Sequence, residues 1–241
     1  MKDAQGREIK YLRVSVTDRC NLRCKYCMPN GIECVEHKDI LSFEEIRQIA
    51  VCGARLGITK IRLTGGEPLA RKGCPELIRM LKEIPGIEKI AMTTNGTLVR
   101  AILPELVEAG LDEINISLDT LDAGTFATIT GQDLLPEVLL AIDAALAAGL
   151  KVKVNAVSMP DTDWKRLITL AKDKPVDVRF IELMPIGEGR HSEGRSNEDL
   201  LEEIRSEFPQ LQADDSVHGA GPAVYYKIPG YQGSIGLISA M

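Results

Sequence analysis

Six β-rich runs alternating with helix-patterned segments predict an α/β protein, a partial (βα)6 TIM-like barrel of parallel strands with a short C-terminal β extension. The runs are 11–17, 59–64, 88–94, 112–118, 150–156 and 176–182. The second observation is parity. Side chains alternate faces along a strand, and one parity is polar in all six runs. The third is that each run ends in a polar or glycine-bearing turn, at the rim where βα scaffolds carry their active sites. An open doubly wound sheet is the alternative architecture, and an antiparallel sheet with one solvated face is the other.

In order, the first run sets Leu12, Val14 and Val16 against Arg13, Ser15 and Thr17. Ser42 and Glu45 then read as a capping box, followed by Ile46, Ile49, Ala50, Gly53 and Leu56 on one helix face, with Gly57 as the stop. The second run opposes Ile61 and Leu63 to Arg62 and Thr64, and Cys74 opens the next helix. The third opposes Ile90 and Met92 to Thr93 and Asn95, and the fourth Ile114, Ile116 and Leu118 to Asn115, Ser117 and Asp119. Pro136 opens and Gly149 closes a helix with Val138, Ile142 and Leu146 on one stripe. The fifth run sets Val152, Val154 and Ala156 against Lys151, Lys153 and Asn155, and Trp164, Leu167, Ile168 and Ala171 mark the helix after it. The sixth opposes Val178 and Phe180 to Asp177 and Arg179. Ser196 begins a last helix with Leu200, Leu201, Ile204 and Phe208 as its apolar side. Two β-like runs around Gly230 read as a hairpin, which divides the chain into a barrel, 1–222, and an extension, 223–241.

A closed barrel fills its interior with branched apolar layers. A polar lining suits a wider or incomplete barrel around a polar ligand. Arg13, Arg62, Lys151, Lys153 and Arg179 outnumber Asp119 and Asp177 on that lining, which points to an anionic substrate such as a phosphate ester. The chain as a whole carries a net charge of -6, the wrong sign for a broad nucleic-acid footprint. With 44% hydrophobic and 27% charged residues it is neither disordered nor fibrous, and its 241 residues make one large domain or two small ones. Asp143 and Lys151 interrupt the best candidate for a membrane span, and residues 1–7 lack the apolar stretch of a signal peptide. A cytoplasmic protein with no membrane partner is expected.

Six cysteines are too few for a disulfide scaffold, and three are crowded as Cys20, Cys24 and Cys27 in a C-x3-C-x2-C loop after the first strand. Structural zinc takes four protein ligands. Three thiolates on a four-iron cluster leave one iron open to a ligand that is not protein. Tyr26 places an aromatic ring beside that position, where an adenine could stack. A zinc-stabilised binding module stays as the alternative, with Cys34 or His37 as fourth ligand. Cys52 and Cys74 read as packed thiols. The loop Gly187-Glu188-Gly189-Arg190-His191 reads as a surface turn or as a mobile loop over the site.

The cysteine spacing, with Gly65-Gly66-Glu67-Pro68 downstream at a strand end, resembles the radical S-adenosylmethionine superfamily. The resemblance narrows through Tyr11 to Cys20, Cys27-Met28-Pro29, Ile61 to Leu69, Thr93-Thr94-Asn95-Gly96, Ile116 to Asp119, Phe180 to Pro185 and Gly233 to Gly236. These are similar to the branch that rearranges GTP to (8S)-3′,8-cyclo-7,8-dihydroguanosine 5′-triphosphate in molybdenum cofactor (molybdopterin) biosynthesis. A radical enzyme of the superfamily acting on another substrate, such as a peptide, is the alternative. The resemblance implies a lyase with a [4Fe-4S] cluster on Cys20, Cys24 and Cys27. It places Tyr26, Gly66, Ser117 and Met184 around S-adenosylmethionine, and Arg13, Arg62, Thr93 and Lys153 at GTP. Ion pairing of Arg13, Arg62 or Lys153 with Asp119 or Asp177 is the competing role for those cations. The implied partners are GTP, an external electron donor such as flavodoxin, the next enzyme of molybdopterin synthesis, and a second copy of the chain. The family also carries a second, C-terminal [4Fe-4S] cluster. The sequence as given has no cysteine after Cys74 and reads as ending where that segment would begin.

Overall fold

A computed structural model of the chain describes residues 2, 4, 6–31, 35–185, 189–190, 193–219 and 221–240. Cys34, the side chain of His37 and most of the 187–191 loop lie outside the described residues.

Six strands, β1 (Tyr11–Ser15), β2 (Lys60–Thr64), β3 (Lys89–Thr94), β4 (Glu113–Ser117), β5 (Lys151–Ser158) and β6 (Asp177–Glu182), fall within two residues of the expected runs. Between them run helices α1 (Phe43–Arg55), α2 (Cys74–Lys82), α3 (Val99–Glu108), α4 (Ala123–Thr130), α5 (Leu135–Ala147) and α6 (Trp164–Asp173). Helix α7 (Asn197–Glu207) and strands β7 (Gln212–Ala213), β8 (Val224–Lys227) and β9 (Ile235–Ile238) complete the order. The sheet runs β1-β2-β3-β4-β5-β6-β9-β8-β7. Its β1–β2, β2–β3, β5–β6 and β6–β9 pairs are parallel, which removes the antiparallel alternative. No helix among the described residues is long and apolar enough to cross a membrane.

The chain forms two compact units, and the first comprises Met1–Asn21, Ile32–Asn115 and Leu139–Lys151. Ile61, Leu63, Ile90 and Met92 are fully buried there with Leu77, Ile78 and Leu81 of α2. The capping box forms as expected: Ser42 Oγ accepts from Glu45 N at 3.2 Å, and Glu45 Oε2 accepts from Ser42 N at 2.7 Å. The apolar face of α1 is narrower than its sequence suggests. Ile46 and Ala50 are buried, whereas Ile49 and Leu56 are 46% and 57% exposed and Cys52 is exposed. At 3.6 residues per turn, Ile46, Ala50 and Gly53 stay within an arc of about 60°, and the other three fall outside it. Cys74 is packed, and burial pushes its thiol up to about 12.

The second unit comprises Leu22–Gly31, Ile116–Val138 and Val152–Met241. Asp122, Asp163 and Ser196 cap α4, α6 and α7, each side-chain oxygen accepting a main-chain N–H of the first turn. Strands β5 and β6 pair Lys153 with Asp177 and Asn155 with Arg179. The expected hairpin is β8 against β9, antiparallel with Tyr225 opposite Gly236. Strand β9 also continues the sheet beside β6, in parallel, with Val178 opposite Ile235. Gly233 makes this possible, because a Cβ there would lie 1.9 Å from the Val176 carbonyl oxygen.

Candidate functional site

In the first unit, the turn after β2 is held against the segment that follows β1. Gly66 N donates to Thr17 O at 2.8 Å and Glu67 N to Arg19 O at 2.7 Å. Gly65 takes φ +150°, and a Cβ on Gly66 would stand 2.3 Å from Arg19 O. The close approach that these glycines permit is therefore to the chain's own main chain. Glu67 is completely buried, and its carboxylate accepts from Leu69 N, Thr94 Oγ1 and Asn95 N at 3.1, 2.7 and 2.7 Å. Burial nonetheless pushes its carboxyl above the usual range. Asn95 in turn donates from Nδ2 to Asn21 Oδ1 at 2.8 Å and toward Cys20 Sγ at 3.8 Å.

The same unit holds three of the four residues expected at GTP. Arg13 and Arg62 are opposite one another in the β1–β2 register, Arg13 exposed and Arg62 buried. Arg62 donates to Thr93 Oγ1 at 3.2 Å and lies over the Tyr11 ring. Adjacent like charges, one of them out of water, are costly, and an anion between them would relieve that cost. Lys60, of the same parity, is engaged with Glu113 Oε2 at 2.6 Å, and burial lowers its ammonium. The Lys60–Glu113 pair and the hydrogen bonds from Thr94 and Asn95 to Glu67 join residues far apart in sequence, so no local spacing marks them. Continuing the polar parity two residues back from Arg62 and from Asn115 reaches Lys60 and Glu113.

In the second unit, the cysteine loop turns tightly. Cys24 O accepts from Cys27 N at 2.9 Å and Met28 N at 3.0 Å. Arg23 N and Lys25 N tie the loop to the C-terminal end of α4 through Thr130 O and Ile129 O. The Tyr26 hydroxyl donates to Asp119 Oδ2 at 2.6 Å, and Asp119 Oδ1 accepts from Val157 N at 2.8 Å. Burial raises both the Tyr26 hydroxyl and the Asp119 carboxyl, and the Asp119 charge adds to the shift on Tyr26. Ser117 ends β4 half-buried, while Met184 is 52% exposed.

Lys153 realises its ion-pair role: its ammonium lies 3.3 Å from Asp177 Oδ2 and donates to Tyr225 Oη at 3.0 Å and to the His218 carbonyl. The His218 ring stacks on Tyr225 and faces Asp177 Oδ2 with Nδ1 and Asp214 Oδ2 with Nε2. His218 and Tyr225 lie outside every motif named in the sequence, and their partners Asp177 and Lys153 are 41 and 72 residues away.

Cys20 and Cys24 are partly accessible and Cys27 is exposed. A soft, three-thiolate donor set suits an iron–sulfur cluster better than a hard cation. Among the described residues, no three His, Cys, Asp or Glu side chains are already gathered as a metal site. The fourth zinc ligands considered, Cys34 and the His37 side chain, are outside those residues.

A parallel βα sheet with this cysteine loop behind its first strand defines a radical S-adenosylmethionine protein, and residues 14–173 match that superfamily. Residues 176–241 match the family described as Molybdenum Cofactor Synthesis C. The chain belongs to the GTP 3′,8-cyclase family of the radical S-adenosylmethionine superfamily. It is 46% identical over 245 residues to the GTP 3′,8-cyclase of Clostridium perfringens (strain 13 / Type A), covering 100% of this chain and 76% of that protein. Identity to the Alkaliphilus oremlandii (strain OhILAs) GTP 3′,8-cyclase is 45% over 247 residues, covering 99% and 76%. Among solved structures, Streptococcus suis SuiB bound to S-adenosylmethionine superimposes with a TM-score of 0.69 at 17% identity, over 83% of this chain and 48% of that one. Methylornithine synthase (PylB) does so with 0.66 at 20% identity, over 83% and 62%. These likenesses establish the shared fold, in agreement with the partial barrel expected.

Proposed function

We propose that this chain is a radical S-adenosylmethionine enzyme that rearranges GTP to (8S)-3′,8-cyclo-7,8-dihydroguanosine 5′-triphosphate in molybdenum cofactor biosynthesis. The observation that carries this reading is 43–46% identity along essentially the whole chain to proteins named GTP 3′,8-cyclase. Cys20, Cys24 and Cys27 would hold a [4Fe-4S] cluster, which would supply the electron that cleaves S-adenosylmethionine into methionine and a 5′-deoxyadenosyl radical able to take a hydrogen atom from the ribose.

In this reading Cys20, Cys24 and Cys27 hold the cluster, which gathers their thiolates as metal binding and local folding are coupled. Tyr26, tied by its hydroxyl to Asp119, keeps its ring at a fixed tilt for the adenine, with Gly66, Ser117 and Met184 completing that site. Arg13 and Arg62 meet the triphosphate, and Thr93 orients Arg62. Lys153, fixed by Asp177 and Tyr225, adds positive charge at a set position. These groups act by orientation and by preorganised charge. An external electron donor such as flavodoxin, the next enzyme of molybdopterin synthesis, self-association as a homodimer and the second [4Fe-4S] cluster of the family belong to the same reading.

The test is anaerobic reconstitution with iron and sulfide, reduction, and measurement of 5′-deoxyadenosine with and without GTP. Release that rises with GTP, together with a cyclised nucleotide by mass spectrometry, is the expected result. Release indifferent to GTP would move the chain to another substrate, and no release from cluster-loaded protein would overturn the enzymatic reading.

A further inference from the structure

We propose that Asn95 is a positioning residue for Cys20, donating an amide hydrogen bond to its sulfur and thereby raising the reduction potential of the cluster. The inference rests on the reading of Cys20 as a cluster ligand. The orientation of the Asn95 amide follows from its neighbours. The Thr97 main-chain N–H can only donate, and it lies 3.0 Å from Asn95 Oδ1. The other terminus is therefore the NH2 group. One of its protons serves Asn21 Oδ1 at 2.8 Å, and Cys20 Sγ at 3.8 Å lies within reach of the other.

The amide is also prevented from swinging away. Asn21 Nδ2 donates to Thr97 Oγ1 at 2.9 Å, and Thr97 Oγ1 donates to Asn95 Oδ1 at 2.7 Å, closing a ring of three side chains. Beneath it, the fully buried Glu67 carboxylate holds Asn95 N and Thr94 Oγ1, both at 2.7 Å. The Gly-Gly-Glu-Pro turn thus sets the position of the Thr-Asn-Gly turn, and that turn sets the distance from amide to sulfur. A donor on a ligand sulfur favours the reduced, more electron-rich cluster, and such hydrogen bonds are among the factors that set these potentials.

The experiment uses the whole chain reconstituted anaerobically, as wild type, N95A, N95D and T97V. Midpoint potentials are read by mediator-equilibrated titration on the EPR signal of the reduced cluster, which reports only protein that carries one. N95A is expected at a more negative potential, by about tenfold in the reduction equilibrium as for loss of one bond to a charged group, or 59 mV for one electron. N95D should move further, because a donor becomes a negative charge. T97V removes the hydroxyl that closes the ring but keeps the amide and the Thr97 N bond to Asn95 Oδ1, so it should shift in the same direction as N95A and by less. Wild-type midpoints in N95A and N95D would overturn the proposal. So would complete loss of the cluster in N95A, since retention is assigned to the thiolates. Failure of wild type to take up iron and sulfide would instead overturn the cysteine reading itself.

Discussion

Lys153 and Asp177 face each other across the β5–β6 register with Nζ 3.3 Å from Oδ2, and both side chains are buried. The Lys153 ammonium donates to Tyr225 Oη and to the His218 carbonyl, and Asp177 is its ion-pair partner. Breaking a buried pair from one side leaves an uncompensated charge and costs about 3–5 kcal/mol. K153M is therefore expected to lose stability on that scale in urea denaturation, and K153M/D177N to recover a large part of it. Additive losses would mean that the two residues are not coupled. The comparison also matters for function, because a fall in GTP dependence in K153M alone mixes substrate contact with folding.

Tyr26 and Asp119 form a second coupled pair, closed by a 2.6 Å bond. Y26F keeps the ring but removes this donor, leaving Asp119 with Val157 N among the donors described. The expected loss at neutral pH is about 1.5–3 kcal/mol, as for a bond to a charged group. The sign of the pH dependence follows from burial, which raises the Asp119 carboxyl in the folded protein. Its stabilising contribution is full below the unfolded value of about 3.9 and is lost as pH rises through the folded one. The Tyr26 bond works against that rise, so Y26F should lose stability more steeply with increasing pH. Parallel stability–pH curves for wild type and Y26F would contradict this.

The strands and the polar parity were legible because period 2 is a local property, and a parallel strand buried on both faces shows each polar residue as an interruption of an apolar run. Ser42 with Glu45 was legible for the same reason: both halves of the capping box lie within one turn. What escaped was set by register between distant segments. Asp119 lies 93 residues from Tyr26, and Tyr225 lies 72 from Lys153, so neither partner is marked by spacing. The pairing of β9 with β6 was likewise invisible, since the hairpin alone accounts for its local pattern. In α1, apolar identity overstated burial, and the flanking Ile49 and Leu56 face outward.

Glu67 is a carboxylate with three donors in a fully buried place, and the cost of burial prevails in raising its carboxyl. Its contribution to stability is therefore full below the unfolded value of about 4.3 and declines as pH rises through the raised folded value. E67Q removes that dependence. Its amide can accept at one end only, however, so one donor among Leu69 N, Thr94 Oγ1 and Asn95 N loses its acceptor. The variant should be less stable than wild type at pH 7 by about 1–3 kcal/mol, and its stability–pH curve flatter above pH 4. A variant as stable as wild type at pH 7 would show that the three bonds contribute nothing net.

Gly66 distinguishes a glycine needed by the fold from one kept for a ligand. A Cβ there would stand 2.3 Å from Arg19 O and 2.7 Å from Asp18 O, both main-chain atoms that cannot rotate away. G66A has to push the 17–19 segment off the turn and weaken the Glu67 N to Arg19 O bond. A loss of about 1–3 kcal/mol is expected in the protein without cluster or S-adenosylmethionine, as for overpacking. Gly53 is the control: its Cβ would meet Ile58 Cγ1 at an ordinary 3.4 Å, and G53A should gain up to about 1 kcal/mol from helix propensity. Chemical denaturation of both variants in the unloaded state decides the matter. If G66A is as stable as wild type yet fails to bind S-adenosylmethionine, the glycine serves the ligand and the clash with Arg19 is relieved at no cost.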